Sequence, residues 1–73
     1  MIITTIYDNK LFIQLDGLVS KGIINVSDDM GHRQSISVRD SNFEEVDLPD
    51  GSGKIFITIE IDGKTISKTI NLL

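Results

Sequence analysis

The segment 54–72 contains two runs, 54–61 and 64–72, with Ile or Leu at most alternate positions, a pattern that predicts β-structure. Ile recurs at every second position from 55 to 61, while Phe56, Thr58 and Glu60 fill the positions between. A period of two is that of a strand with one buried face. Asp62-Gly63 follows directly, which is a strong signal for a tight turn, and 64–72 then returns. The segment therefore predicts a β-hairpin whose Ile side chains enter a core.

Alternating segments and turn signals also fill the rest of the chain. Asp8-Asn9 tolerates positive φ and suits a hairpin turn, and 28–31 predicts a hairpin loop with Gly31 in the left-handed conformation. Turns are also predicted at Asp16-Gly17 and at 40–42. The predicted strands are 2–7, 10–15, 23–27, 34–39, 43–48, 54–61 and 64–72. About seven short antiparallel strands favour an all-β sandwich over an open oligonucleotide-binding barrel, which usually carries a basic, aromatic face.

The same alternation predicts which side chains form the core. Leu18 and Val19 are expected to tuck under one end of the sandwich. Phe43 is placed in the core together with Val46 or Leu48. The other predicted core side chains lie on the apolar faces of their strands, and outside 54–61 they are Leu11, Ile13, Leu15, Ile24, Val26, Ile36, Val38, Ile66, Ile70 and Leu72.

Length, charge and composition exclude several classes of function. The chain has 73 residues, which suffices for one small domain, 1–73, and not for a second. Seven Lys and Arg against 11 Asp and Glu give a net charge of -4, so no overall field draws the chain to nucleic acid or anionic lipid. The absence of Cys removes disulfides and thiolate chemistry. A core this small gains from burial against a partner, so docking or self-association is expected.

The N-terminus predicts no targeting signal. The residues after Met1 lack a basic region, a long apolar stretch and a small-residue cleavage site. No apolar run approaches the roughly 20 residues of a membrane-spanning helix, so membrane insertion is not expected. A virion or the cytoplasm of the producing cell is favoured, with an extracellular location if a signal has been removed.

The residues with catalytic potential do not form a recognisable motif. His32 stands beside the predicted Gly31 turn without a nucleophile motif, and is interpreted as a solvated turn residue. Acidic residues such as Asp28, Glu44 and Asp50 could meet at one end of a sandwich and hold a hard cation. Their spacing instead favours roles in turns and on solvent-facing edges. We therefore predict no enzyme, no metal and no cofactor.

Aromatic side chains give the one positive indication of function. Alternation places Phe12 and Phe56 on the polar faces of their strands, opposite the aliphatic stripe. An exposed aromatic pair on neighbouring strands would form a patch for a protein partner. The alternative is that loops cover this second face. Tyr7, Phe12 and Phe56 are the predicted partner-binding residues.

A set of turn and core residues follows a known pattern from Gly22 onward. The residues are Ile24, Val26, Asp28, Gly31 and Arg33, then Val46-Asp47-Leu48-Pro49, Gly53, 55–61, Gly63-Lys64 and Lys68. The pattern resembles the small Ig-like domains of Bacteroidetes proteins, which include C-terminal sorting domains of type IX secretion cargo. The resemblance implies an Ig-like β-sandwich, and it concerns fold more than activity. The aromatic residue that follows the family's Gly is displaced here to Phe56.

These observations predict a noncatalytic structural or interaction module that docks on a larger protein assembly. A chain that begins with its own Met and has no signal, Cys or active-site motif also resembles the decoration proteins that phages place on capsids. A capsid auxiliary or decoration protein is therefore the most concrete expectation. The alternatives are a sorting or accessory domain of a secreted or cell-surface Bacteroidetes protein, and a glycan-binding module that uses Phe12, Phe56 or Tyr7. A hydrolase that uses His32 is the least favoured.

Overall fold

The computed structural model describes residues 1–72, which form one curled antiparallel sheet, a half-barrel. The strands are β1 (Ile3–Tyr7), β2 (Lys10–Asp28), β3 (Arg33–Asp47), β4 (Lys54–Ile61) and β5 (Lys64–Asn71). β2 pairs with β1, β3 and β4, and β5 continues the sheet beyond β4. The all-β class is confirmed. Leu73, the last residue of the predicted domain, lies outside the described residues.

The predicted hairpin turns are confirmed. Asp8 and Asn9 have φ of 51° and 62° between β1 and β2, and Asp62 and Gly63 have φ of 50° and 74° between β4 and β5. Positive φ at both central residues belongs to the type I′ turn, whose twist matches that of the flanking strands. Gly31 has φ of 94° in the β2–β3 loop, which is the left-handed conformation expected of it.

The number of strands differs from the prediction, because five strands form rather than about seven. The predicted turns at Asp16-Gly17 and 40–42 lie inside β2 and β3, which continue through them. Gly17 has φ of 90°, Asp40 has φ of 48°, and the β2–β3 register shifts between Gln14 and Val19. An irregularity of this kind bends a strand and increases its twist without ending it. The two predicted sheets are thus replaced by one sheet that folds over itself.

The core lies between the two halves of the curled sheet. The first half consists of β1 and the segments 10–14 and 43–47 of β2 and β3, and the second half consists of the segments 19–28 and 33–41 with β4 and β5. Leu11 and Ile13 from the first half of β2 and Ile24 from its second half are fully buried in one apolar cluster. Ile57 and Ile59 of β4 complete the centre of this cluster. Its other members are Leu15, Val19, Val26, Val38, Val46, Leu48 and Ile55. The alternation of the sequence therefore located most of the core correctly.

Three predicted core side chains are exposed instead. Phe43 is 52% exposed. It lies three positions from the buried Val46 in the same strand, and residues an odd number of positions apart point to opposite faces. Leu18 is 73% exposed at the bend beside Gly17, whereas Val19 is buried as predicted. Ile66 is 42% exposed, since its strand β5 pairs with β4 alone in the described sheet.

Candidate docking surface

The outer face of the first half of the sheet carries a grid of side chains from β1, β2 and β3. Directly paired residues on neighbouring strands point to the same face, so the register defines the rows of the grid. The rows are Ile3–Gln14–Phe43, Thr5–Phe12–Glu45 and Tyr7–Lys10–Asp47. The residues between them on β2 and β3, such as Leu11, Ile13 and Val46, face the core. The core side chains therefore support this grid from below.

Phe12 stacks on Phe43 within the grid. The ring centroids are 6.0 Å apart and the ring planes differ by 21°. Phe43 is a diagonal neighbour of Phe12, because Phe12 pairs with Glu45 and Gln14 pairs with Phe43. Aromatic side chains are long enough to meet across such a diagonal. A pair of this kind contributes about 0.5–1.5 kcal/mol beyond the burial of its surface, which helps to hold both rings in place.

Tyr7 and Ile3 extend the apolar surface around the stacked rings. Tyr7 is 73% exposed and Ile3 is 48% exposed, and both lie on β1 next to β2. We call Ile3, Tyr7, Phe12 and Phe43 the aromatic patch. Tyr7 and Phe43 are exposed and Phe12 is half-buried, and aromatic residues that cluster on one surface are typical of protein interfaces.

Charged side chains border the aromatic patch. Lys10 Nζ lies 3.1 Å from Glu45 Oε1, and the hydrogen bond and negative charge of Glu45 raise the pKa of Lys10 above its ordinary value. Asp47 pairs with Lys10 in the same row, and Asp8 follows Tyr7 in the turn. The charges of Lys10 and Glu45 offset each other, and Asp8 and Asp47 leave the border of the patch with a net negative charge.

The structure does not bring Phe12 and Phe56 together. Phe56 on β4 pairs with Ser27 near the far end of β2, beyond the bend at Gly17. Its side chain is 39% exposed on the outer face of the second half of the sheet. Of the three predicted binding residues, Tyr7 and Phe12 share one surface and Phe56 lies on another.

The sequence reasoning missed Phe43, which is the ring partner of Phe12. The spacing of Phe43 and Val46 could have indicated its position, because the two residues are three positions apart in one strand. Residues an odd number apart face opposite sides of a regular strand. Phe43 and Val46 could not both enter the core, and the burial of Val46 therefore directs Phe43 outward.

A separate polar cluster joins the β2–β3 loop to the segment before β4. Asp28 Oδ2 accepts a hydrogen bond from Ser52 Oγ at 2.6 Å and contacts His32 Nδ1 at 2.9 Å. Asp28 Oδ1 accepts the backbone N–H groups of Met30 and His32. Burial disfavours the charged carboxylate, but the hydrogen bonds from Ser52, His32 and Met30 outweigh this and lower the pKa of Asp28 from 3.8 to about 2.

The Asp28 cluster does not have the order of a catalytic triad. In Ser–His–Asp chemistry the Ser hydroxyl donates to the His ring, and the carboxylate orients that ring. Here the Ser52 hydroxyl donates to Asp28 instead. Asp29 Oδ1 also accepts the backbone N–H of Gly53 at 3.0 Å. These contacts fasten one loop to another, and we interpret the cluster as structural.

The other acidic side chains are dispersed over the surface. Glu44 accepts a hydrogen bond from Ser41, and Asp50 accepts one from Asn9. Across residues 1–72, no three Asp, Glu or His side chains lie close enough together to hold a metal ion. That part of the chain also contains no helix that could cross a membrane.

A comparison of the sequence with protein-family models finds no matching family, and a comparison with curated proteins finds no match. The fold and the surface define a small β-rich domain with an exposed aromatic patch.

Proposed function

We propose that this chain is a noncatalytic interaction module that docks on a larger protein assembly through the aromatic patch. The stacked Phe12–Phe43 pair carries the proposal, because it holds aromatic surface in a fixed orientation beside the exposed Tyr7 and Ile3. Side chains that are already ordered lose little conformational entropy on binding. Aromatic anchors also dominate the binding energy of many protein interfaces.

The most concrete form of the proposal is an auxiliary or decoration protein of a phage capsid. Its support is the resemblance to Ig-like domains and to phage decoration proteins, carried by the turn and core residues from Gly22 onward. The proposal includes a relationship to the Ig-like domains, in which the two halves of the curled sheet enclose the core as the two sheets of a sandwich do. A sorting or accessory domain of a Bacteroidetes protein would use the same kind of surface on a different assembly.

The charges around the aromatic patch favour a different protein over a second copy of the chain. Asp8 and Asp47 border the patch, and the cation nearest to them, Lys10, is already paired with Glu45. Two copies that met face to face would bring these like charges together, which opposes association. The partner is therefore expected to present an apolar centre with basic side chains around it.

Phe43→Asp is expected to release the protein partner while the domain stays folded. A carboxylate in an apolar interface loses its hydration without gaining a counter-charge, so capture of the partner should fall by at least about tenfold. The fold should survive, because Phe43 is 52% exposed in the free chain. The measurement is affinity capture from the cells that produce the chain, with quantitative mass spectrometry of the bound proteins and circular dichroism of each variant.

Phe56→Asp is the matched control for this experiment. It introduces the same charge at an exposed Phe in the other half of the sheet, and it should retain the partner at the wild-type level. Retention of the partner by Phe43→Asp, or its loss from Phe56→Asp alone, would contradict docking through the aromatic patch.

A further inference from the structure

The outer face of the second half of the sheet has a different chemistry from the aromatic patch. One row across β3, β2 and β4 consists of Arg33, Ser27 and Phe56, and the next row consists of Ser35, Asn25 and Thr58. Paired residues point to the same side of a sheet, so these six side chains share one surface. We call them the polar face.

The polar face contains a depression that matches the size of a small ligand. An open cavity of about 420 Å³ lies over the β2–β3 part of this face, lined by Asn25, Val26, Ser27, Arg33, Gln34 and Ser35. Phe56 and Thr58 lie beside it on β4, and small-molecule sites are typically about 300–1,000 Å³. Within the cavity Ser35 Oγ donates a hydrogen bond to Asn25 Oδ1 at 2.9 Å. This bond orients the amide of Asn25 and directs its N–H groups away from Ser35, where a ligand oxygen can accept them.

The fold concentrates positive charge on this side of an acidic chain. Four of the seven Lys and Arg residues occupy outward positions on β2, β3 or β4 in this half, namely Lys21, Arg33, Arg39 and Lys54. The two rows of the polar face contain Arg33 and no acidic side chain, and Glu60 lies in the next row, opposite Ile23. The face is therefore locally cationic although the whole chain has a net charge of -4, and it attracts anions.

We infer that the polar face binds an acidic oligosaccharide. Phe56 provides an apolar ring surface for the C–H face of a sugar, and Asn25, Ser27 and Thr58 provide hydrogen bonds for its hydroxyl groups. Arg33 suits a carboxylate, because its planar guanidinium binds carboxylates with two parallel hydrogen bonds. Neighbouring strands lie about 4.8 Å apart, so Arg33 and Phe56 are separated by about 10 Å, which a short oligosaccharide bridges.

The composition of the polar face favours an acidic sugar over single-stranded nucleic acid. Proteins that bind single strands stack successive bases on several aromatic side chains in a positively charged groove. Phe56 is the aromatic residue of the polar face, and its neighbours are hydroxyl and amide side chains. Hydroxyl and amide groups both donate and accept hydrogen bonds, as the hydroxyl groups of a sugar require.

Titration of the full chain with hexasaccharides at low salt, followed by NMR, tests this inference. The probes are the hexamers of galacturonate, guluronate and hyaluronan, with maltohexaose as the neutral sugar and a 12-nucleotide oligo(dT) as the nucleic acid. At least one acidic hexamer should bind and shift the signals of Asn25, Ser27 and Arg33, while maltohexaose binds at least about tenfold more weakly. Arg33→Gln should weaken the binding of the acidic hexamer by at least about tenfold.

Lys64→Gln is the matched control, because it removes the same charge from an exposed residue in the β4–β5 hairpin. It should change binding less than about twofold. Three results overturn the inference: no acidic hexamer binds at millimolar concentration, oligo(dT) binds as tightly as the best hexamer, or Arg33→Gln and Lys64→Gln weaken binding equally. The second of these results would point to a nucleic-acid surface instead.

Discussion

Ile24→Ala should remove a large part of the stability of the domain. Ile24 is fully buried at the centre of β2, where it pairs with Ile36 of β3 and Ile59 of β4. Truncation of a buried Ile costs about 2–5 kcal/mol through lost apolar contact and the cavity left behind. Domains of this length have a free energy of unfolding of about 4–11 kcal/mol. Urea denaturation followed by circular dichroism measures the difference.

Ile23→Ala is the control for this prediction, because it makes the same chemical change at the adjacent position of the same strand. Ile23 lies on the outer face and is 42% exposed, so its truncation should cost less than about 1 kcal/mol. Equal losses from the two variants would show that the assigned core face of β2 is wrong.

Asp28→Asn should also destabilise the domain strongly. Both carboxylate oxygens of Asp28 accept hydrogen bonds, which come from Ser52 and from the ring and backbone of His32 and the backbone of Met30. An amide replaces one acceptor oxygen by an NH₂ group that cannot accept these donors. We expect the unfolding midpoint to fall by at least about 10 °C. Asp16→Asn, which alters an exposed carboxylate paired with the N-terminus, should shift it by less than about 3 °C.

The contribution of Asp28 should also depend on pH. Its pKa in the folded chain is about 2, below the ordinary value of 3.8, so the charged carboxylate stabilises the folded state. This stabilisation is present above the ordinary pKa and is lost as the pH falls through about 2. Between pH 5 and pH 2 the wild type should therefore lose more stability than Asp28→Asn. Parallel pH profiles for the two proteins would show that the Asp28 contacts do not form in solution.

Much of the fold could be predicted because local rules decide it. The Asp62-Gly63 and Asp8-Asn9 turns follow from residues that tolerate positive φ, and the Ile residues of β4 follow from a period of two. The strand count was wrong because Asp16-Gly17 and Asp40 carry the same local signal as a turn. Whether such a signal ends a strand or only bends it depends on the neighbouring strand, and β2 and β3 bend together here.

The residues that form the candidate surfaces could be predicted only in part from the sequence. Tyr7 and Phe12 were identified by alternation, but the register of β3 places Phe43 beside Phe12, and that register was the least determined part of the sequence. The Asp28–Ser52 contact joins residues 24 positions apart, and no local pattern predicts it. A net charge of -4 likewise gives no sign that the fold gathers Arg33, Arg39 and Lys21 on one face.

Site-specific photo-crosslinking tests the central claim, docking through the aromatic patch, most directly. The photoreactive analogue p-benzoylphenylalanine replaces Tyr7 in one variant and Phe56 in another, and both positions are naturally aromatic and exposed. We expect irradiation in the producing cells to give a covalent product between the position-7 variant and one protein partner. The position-56 variant should give at most a small fraction of that amount of product. No product from position 7, or equal products from both positions, would contradict the proposal.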